Sequence, residues 1–178
     1  MQIFVRTILG RLLIITVLAA TASLVATAQS ADAQQARLKR LFPSATTFSP
    51  KGGDPPHFKA YGAGQTLLGY AAWTTEVVPL ERAYAGPIAI LVGIDTSGVL
   101  TGIVLGEHHE PYGDFSIDTP GFSATFKGKD VRDPFRLGGD VDAVSRATIT
   151  MSSAVRAIRN SARRIAREFI AAPGTAKP

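Results

Sequence analysis

The feature that most constrains the fold is an amphipathic segment near the C-terminal end, from about Thr150 to Ile170. Its apolar side chains recur every three or four residues, at Val155, Ile158, Ala162, Ile165 and Phe169. This spacing puts them on one face of a helix, while arginines occupy the remaining surface. A helix of this kind must bury its apolar face against another layer of the protein.

Three apolar segments upstream predict a sheet for the helix to cover. Residues 67–73 alternate loosely, residues 88–94 are nearly continuous in apolar character, and residues 99–105 follow across the turn "DTSG" as a hairpin. A short helix is predicted in "QQARLKRLF", and the Pro/Gly-rich connector "PSATTFSPKGGDPPHF" is predicted to lack regular structure. The expected fold is α+β, an antiparallel sheet packed against a long C-terminal helix.

A long segment from His108 to Gly139 shows no periodicity and carries five glycines. Irregular segments of this length in compact domains usually bind something or are disordered. This one contains five aromatic residues: Tyr112, Phe115, Phe122, Phe126 and Phe135. Disordered segments rarely hold so many rings, so we expect them to pack on the sheet or on a ligand.

The N-terminal segment "MQIFVRTILGRLLIITVLAATASLVATAQSADA" places two arginines ahead of an apolar run and small residues after it. This is the layout of a secretory signal peptide. We predict a signal peptide over residues 1–33 and one domain over residues 34–178, exported to the periplasm or secreted. An uncleaved membrane anchor is the alternative, although the run is short for a spanning helix.

The net charge and the absence of cysteine exclude several classes of function. Removing residues 1–33 takes Arg6, Arg11 and Asp32 from 19 basic and 14 acidic side chains, so the formal net charge falls from +5 to +4. This weak basicity in an exported protein argues against nucleic acid as a partner. The chain has no cysteine, so disulfides and iron–sulfur clusters held by thiolates are excluded.

Hydroxyl side chains crowd the predicted start of the C-terminal helix, at Ser145, Thr148, Thr150, Ser152 and Ser153. One such side chain is enough to cap a helix by accepting a hydrogen bond from a free N–H group. The same N–H groups and the positive end of the helix dipole also favour a phosphate. Both interpretations remain open on spacing alone.

The segment "DAVSRAT", Asp142 to Thr148, resembles the flavinylation motif D-x-x-S/T-G-A-T of the FMN-binding domain family, which includes the RnfG and NqrC subunits of membrane redox complexes. Further similarity, in "LGYAAWTTEVVP" and "YAGPIAILVGIDTSGVLTGIVLGEHHEPY", is to the periplasmic N-terminal domain of NosR/NirI-type proteins. The resemblance covers nearly all of residues 34–178, with a core from about residue 36 to residue 172.

The resemblance implies that FMN is the cofactor and that an ApbE-type FMN transferase moves it from FAD onto Thr148, forming a phosphodiester. Asp142 would belong to the signal that the transferase reads, and Ala147 would be among the cofactor-binding residues. Ser145 and Thr150 would assist at the cofactor. Capping and turn hydrogen bonds explain Ser145 equally well, and they explain Thr150 better.

Arg146 departs from the motif, because the family has glycine at that position. Glycine there implies a tight turn or a close approach of the backbone. The arginine could obstruct the transferase, or it could pair with the phosphate, which keeps one negative charge as a diester.

The segment "EHHEPYGDF" supplies the other candidate contacts to the flavin. Tyr112 or Phe115 could flank the ring, and His108 or Glu110 could bond its edge. A metal held by the two adjacent histidines and Glu110 is the competing interpretation. Neighbouring residues on an extended strand point to opposite faces, which disfavours it.

These features together predict an exported flavoprotein domain that transfers electrons with membrane or periplasmic redox partners. Nucleophilic hydrolysis is disfavoured, because no G-x-S-x-G nucleophile elbow occurs in the sequence. We expect an electron-transfer flavoprotein and not a stand-alone catalyst, because the flavin would carry the redox chemistry. The alternative is a non-flavinylated accessory or regulatory binding domain of a NosR-like respiratory system.

The signal peptide yields the first testable prediction. When the protein is expressed with export, its N-terminus should lie close to Gln34, because "ADA" offers the small residues that signal peptidase accepts. N-terminal sequencing checks this. A membrane-bound chain that still begins at Met1 would identify an uncleaved anchor instead.

Overall fold

The computed structural model describes residues 29–143 and 147–170. The chain divides into two compact units, residues 1–36 and residues 37–178. In the first unit, the described residues 29–36 are helical. In the second unit, residues 37–41 are helical and are called α1.

Within the described residues, five strands form one antiparallel sheet in the order in which they follow along the chain. Their bounds are β1 Thr47–Phe48, β2 Phe58–Tyr61, β3 Leu67–Trp73, β4 Ile90–Asp95 and β5 Leu100–Leu105. A 3₁₀ turn, Ala63–Gln65, joins β2 to β3. Each strand pairs with the next one along the chain, which makes the sheet a simple meander.

Three further helices follow β3, with bounds α2 Thr74–Val77, α3 Pro120–Phe126 and α4 Thr148–Phe169. The long helix α4 packs across β3 and β4, and α3 packs on β5. The core on this side combines strand residues such as Ile90 and Val92 with Ala154, Ile158 and Ala162 of α4. The apolar stripe predicted for the C-terminal helix is therefore its buried face.

The opposite face of the sheet is also covered. Leu38 and Leu41 of α1, with Phe42, pack there against Leu91 of β4 and Val104 of β5. Because both faces of β4 are buried, its sequence does not alternate between apolar and polar residues. This explains why the sequence of β4 is nearly continuous in apolar character.

The α+β fold with an antiparallel sheet and a long C-terminal helix is confirmed. The three predicted strands are present, although β4 and β5 begin slightly later than predicted. The prediction that the connector lacks regular structure is wrong, because β1 lies within it and β2 begins at Phe58. Each is a short edge or near-edge strand, which leaves little periodicity to detect.

The long segment from residue 108 to residue 139 also contains a helix that the sequence analysis did not predict. In α3, Thr119 is the N-cap and its hydroxyl accepts a hydrogen bond from the N–H of Phe122, while Pro120 occupies the first turn. Three of the five rings in this segment, Phe122, Phe126 and Phe135, are buried in the core. Those rings pack on the protein and not on a ligand.

Residues 1–28, most of the predicted signal peptide, lie outside the described residues. In the part of the chain that is described, no helix combines the length and apolar composition needed to cross a membrane.

The packing of α4 generates the second prediction. Ile158 is fully buried between α4 and the sheet, so Ile158→Asp should destabilise the domain by roughly 4 kcal/mol or more, because it buries an unpaired charge and leaves a cavity. Thermal unfolding followed by circular dichroism measures the loss. The matched control is Ile149→Asp on the same helix, where the side chain is 61% exposed and the melting temperature should change little. Equal melting temperatures for the two variants would show that the Ile158 face is not core.

Candidate functional site

The candidate site lies at one end of the sheet, where two loops and the start of α4 meet. In the β4–β5 pair, Ile90 lies opposite Leu105. The loop that leads into β4, residues 78–89, and the loop that leaves β5, residues 106–119, therefore emerge side by side. Polar contacts from both loops reach the first two turns of α4.

The N-terminus of α4 presents the predicted attachment residue to solvent. Ala147 is the N-cap, is buried, and provides no side-chain cap. Thr148 is the first helical residue and is exposed. The helix thus begins with backbone N–H groups that have no N-cap side chain to donate to, next to an accessible hydroxyl.

A buried carboxylate connects the three segments. Glu110 is 7% exposed, and its Oε1 accepts a hydrogen bond from the backbone N–H of Ala85 at 2.7 Å. Its Oε2 accepts from the hydroxyl of Thr150, which is itself buried. We call this arrangement the Glu110 clamp: Ala85 N–H, the Glu110 carboxylate and the Thr150 hydroxyl.

His108 organises the loop that carries Glu110. Its Nδ1 accepts from the backbone N–H of Glu110 at 3.3 Å, and its Nε2 lies 2.9 Å from Oδ1 of Asp118. With Nδ1 accepting, Nε2 carries the proton and donates to Asp118. Gly113 is needed between them, since a Cβ there would lie 2.6 Å from both the His108 ring and the Asp118 carboxylate.

Exposed apolar side chains occur on the same three segments as the clamp. Among the described residues, the large hydrophobic side chains that are exposed are Leu80, Tyr84, Tyr112, Phe115 and Ile149. All of them belong to the two loops and to the first turn of α4, and Tyr84 and Ile149 are direct chain neighbours of clamp residues. The rings of Tyr112 and Phe115 lie 5.5 Å apart at 52°. We call these five side chains the apolar patch.

The loop before β4 is attached to α4 a second time, one turn after the clamp. Oε1 of Glu81 accepts from the Ser153 hydroxyl and from Nη2 of Arg156, both at 2.8 Å. Burial raises the pKa of Glu81, but the hydrogen bonds from Arg156 and Ser153 outweigh it, so the pKa lies below its usual 4.5.

A basic groove runs along α4 and includes Arg156, the partner of Glu81. It is open, with a volume of about 280 Å³, and its charged lining residues are Arg136, Arg156 and Arg159. Asp140 shapes its wall by accepting hydrogen bonds from the backbone N–H groups of Phe135 and Arg136. Ser152, one helical turn after Thr148, also lines it.

The structure brings together several of the predicted site residues and leaves others apart. Thr150 and Glu110 are in direct contact, and His108 bonds the backbone of Glu110, while Tyr112 stands at the edge of the same loop. Asp142 is exposed. Ser145 and Arg146 lie outside the described residues. No cluster of three or more His, Cys, Asp or Glu side chains with the geometry of a metal site occurs within residues 29–143 and 147–170.

Sequence reasoning missed the contribution of residues 78–89. Ala85 acts through its backbone N–H, which no residue type reveals, and Glu81 acts through a pairing with Arg156 that is distant in sequence. The available signal was the segment "VVPLERAYAGP", in which apolar and aromatic residues sit among prolines and a glycine between two strands. Such a composition is unusual for a simple solvated turn.

Comparison with known proteins identifies the domain in which these residues lie. The model of the FMN-binding domain family matches residues 83–163, a range that includes all three parts of the clamp and Thr148. The chain contains an FMN-binding domain, and it is similar to proteins of the RnfG and NosR types. Its cofactor is FMN.

This FMN-binding domain has curated relatives in bacteria and archaea. The regulatory protein NosR of Stutzerimonas stutzeri is 29% identical over 159 residues, which cover 82% of this chain but 22% of NosR. The RnfG-type component of an ion-translocating oxidoreductase complex is 28% identical in Methanosarcina acetivorans, with 74% of each chain covered. The corresponding component in Vibrio vulnificus is 31% identical, with 68% of this chain and 62% of the relative covered. The chain therefore spans about a fifth of NosR and the larger part of each RnfG-type relative.

Among solved structures, the crystal structure of Shewanella oneidensis NqrC aligns with 71% of this chain and 73% of its own, at 20% sequence identity and a TM-score of 0.44.

The apolar patch and the polar groups around it suit the chemistry of a flavin nucleotide. A flavin ring needs apolar surfaces with a few hydrogen-bonding groups, and its phosphate suits a helix N-terminus. The half-exposed rings of Tyr112 and Phe115 offer apolar surfaces for the flavin ring, and the first turn of α4 offers N–H groups for the phosphate. The residues present therefore fit FMN.

The pKa of Glu81 generates the third prediction. Since folding lowers this pKa, Glu81 stabilises the protein above its unfolded pKa, and the stabilisation is lost as the pH falls through the folded pKa. Compared with Glu81→Gln, the wild type should be more stable by roughly 0.5–1 kcal/mol near neutral pH and no more stable at an acid pH below the folded pKa of Glu81. Urea unfolding at the two pH values measures this. A difference that is independent of pH would mean that the charge of Glu81 contributes nothing.

Proposed function

We propose that this protein is an exported electron-transfer domain whose FMN is joined through its phosphate to the hydroxyl of Thr148. The observation that carries the proposal is the exposure of Thr148 at the first position of α4, beside the apolar patch, in a domain that binds FMN. A phosphodiester here would place the phosphate at the positive end of the helix dipole.

The covalent link requires a transferase, and an ApbE-type enzyme with FAD as donor supplies the reaction. The Thr148 oxygen forms a bond to the FMN phosphorus, the pyrophosphate bond of FAD breaks, AMP leaves, and the hydroxyl proton is lost. An exposed hydroxyl at a helix end is accessible to another enzyme, whereas the buried hydroxyl of Thr150 is not. Thr148 is therefore the better acceptor of the two.

Each part of the site has a distinct role in holding the cofactor. Tyr112 or Phe115 would pack on the ring, and the first N–H groups of α4 would face the phosphate. FMN supplies the capacity to accept and donate electrons, while the protein orients the ring and limits its contact with water. The proposal that His108 bonds the ring edge stands as a prediction.

Electron transfer needs partners, and the relatives include components of an ion-translocating oxidoreductase complex. The basic groove of Arg136, Arg156 and Arg159 lies along the same helix that begins with Thr148. A redox partner with an acidic surface would be attracted to this side of the domain, which raises the encounter rate at low ionic strength. Export, as expected from the N-terminal sequence, would place the exchange outside the cytoplasm.

The fourth prediction concerns the attachment residue. Protein co-expressed with an ApbE-type transferase should gain the mass of one FMN less one water, and Thr148→Val should gain nothing, because valine keeps the shape of threonine but lacks the hydroxyl. Intact-mass spectrometry reads the adduct directly. Thr148→Ser is the matched control and should restore attachment.

Two outcomes would contradict this proposal. An adduct that persists in Thr148→Val would move the attachment to another residue. A folded wild type that never gains an adduct from an active transferase would favour the non-flavinylated accessory domain.

A further inference from the structure

The Glu110 clamp joins three segments that are far apart in the sequence. Ala85 precedes β4, Glu110 follows β5, and Thr150 belongs to the first turn of α4. A buried carboxylate is costly unless its oxygens are hydrogen-bonded, and here each oxygen has its own donor. Removing either donor would leave a buried oxygen short of a partner, so the clamp resists rearrangement.

The clamp also fixes how α4 is rotated about its axis at its beginning. Two residues along an α-helix differ by about 200° around the axis. Because the Thr150 hydroxyl is held inward by Glu110, Thr148 must face the opposite way, toward solvent. A first turn that frayed or rotated would move the Thr148 hydroxyl away from this position.

The same carboxylate holds the loops that carry the apolar patch. Tyr84 directly precedes Ala85, and Tyr112 lies two residues after Glu110. The clamp therefore sets the distance between the exposed hydroxyl of Thr148 and the rings on both loops. The Glu110 carboxylate thus positions both the Thr148 hydroxyl and the exposed rings on the two loops.

We propose that Glu110 is a positioning residue for flavin attachment, which acts through Thr150 to present Thr148 to the transferase. This inference rests on the proposed esterification of Thr148. Both carboxylate oxygens of Glu110 already bond the protein, so its role here is to orient the helix start and not to contact the flavin.

A purely structural role for Glu110 makes a different prediction, and Glu81 provides the matched comparison. Glu81 also links the loop before β4 to α4, but at Ser153 and Arg156, one turn beyond Thr150. If loss of stability alone slowed attachment, Glu81→Ala and Glu110→Ala should each slow it in proportion to the decrease in melting temperature that the substitution causes. If Glu110 positions the acceptor, Glu110→Ala should slow attachment far more.

The test follows the attachment rate by intact mass, with purified unmodified protein, an ApbE-type transferase and FAD. We expect Glu110→Ala and Thr150→Val to slow attachment by about ten- to a hundred-fold, since small misplacements of reacting groups have effects of this size. Thr150→Ser should stay near the wild-type rate. Glu110→Gln should stay within a few-fold, because its amide oxygen can accept from Ala85 and its NH₂ can donate to the Thr150 oxygen.

Hydrogen exchange provides a second readout that needs no flavin. In the unmodified protein, the amides of residues 151 and 152, which close the first turn on the carbonyls of residues 147 and 148, should exchange faster in Glu110→Ala than in the wild type. The amides of residues 160–168 should not change. In Glu81→Ala, the amides of residues 151 and 152 should keep their wild-type protection. If Glu110→Ala does not fold, Thr150→Val carries the test, since it removes only one hydroxyl.

The outcomes separate this inference from the proposed function. Wild-type rates in folded Thr150→Val and Glu110→Ala would overturn the positioning role and leave attachment at Thr148 intact. Slowing by Glu81→Ala equal to that by Glu110→Ala would also overturn it, in favour of general stability. A wild type that acquires no adduct would overturn the proposed function, and the inference with it.

Discussion

The packing of α4 across β3 and β4 is the interaction on which the rest of the structure depends. Ala154, Ile158 and Ala162 are completely buried there, against strands whose other face is covered by α1. Small residues at two of these three positions allow the helix to approach the sheet closely. The position of α4 along the sheet then decides which loops its first turn can reach.

The sequence predicted the layers of this fold because each layer has a strong hydrophobic period. The stripe on α4 repeats along the helix, and the run in β4 reflects burial on both faces. The edge of the sheet was predicted poorly because β1 has two residues and β2 has four, too few for a period. The helix α3 had a local signal in Thr119 and Pro120, an N-cap followed by proline, which was outweighed by the glycines around it.

The site was predictable in its residue types but not in its contacts. Sequence reasoning selected Glu110 and Thr150 as neighbours of the cofactor, whereas in the fold they are partners of each other. Their contact depends on the register of the β4–β5 pair and on the placement of α4, neither of which a local pattern encodes. Ala85 could not have been chosen at all, since its contribution is a backbone N–H group.

The division between buried and exposed groups at this end of the sheet follows from these contacts. The polar atoms of Glu110 and Thr150 are buried and satisfied, while the rings of Tyr84, Tyr112 and Phe115 remain in solvent. Folding usually selects the reverse arrangement, because burying apolar surface contributes about 25 cal/mol per Å². Exposed rings on loops that are held by buried hydrogen bonds leave apolar surface area available for a bound group.

In the proposed function, that group would be the flavin ring of FMN, with its phosphate at the start of α4. The clamp would then serve cofactor and protein together, because one carboxylate orders the helix that accepts the phosphate and the loops that cover the ring. Rigidity at this point reduces the conformational entropy that is lost when the cofactor is held.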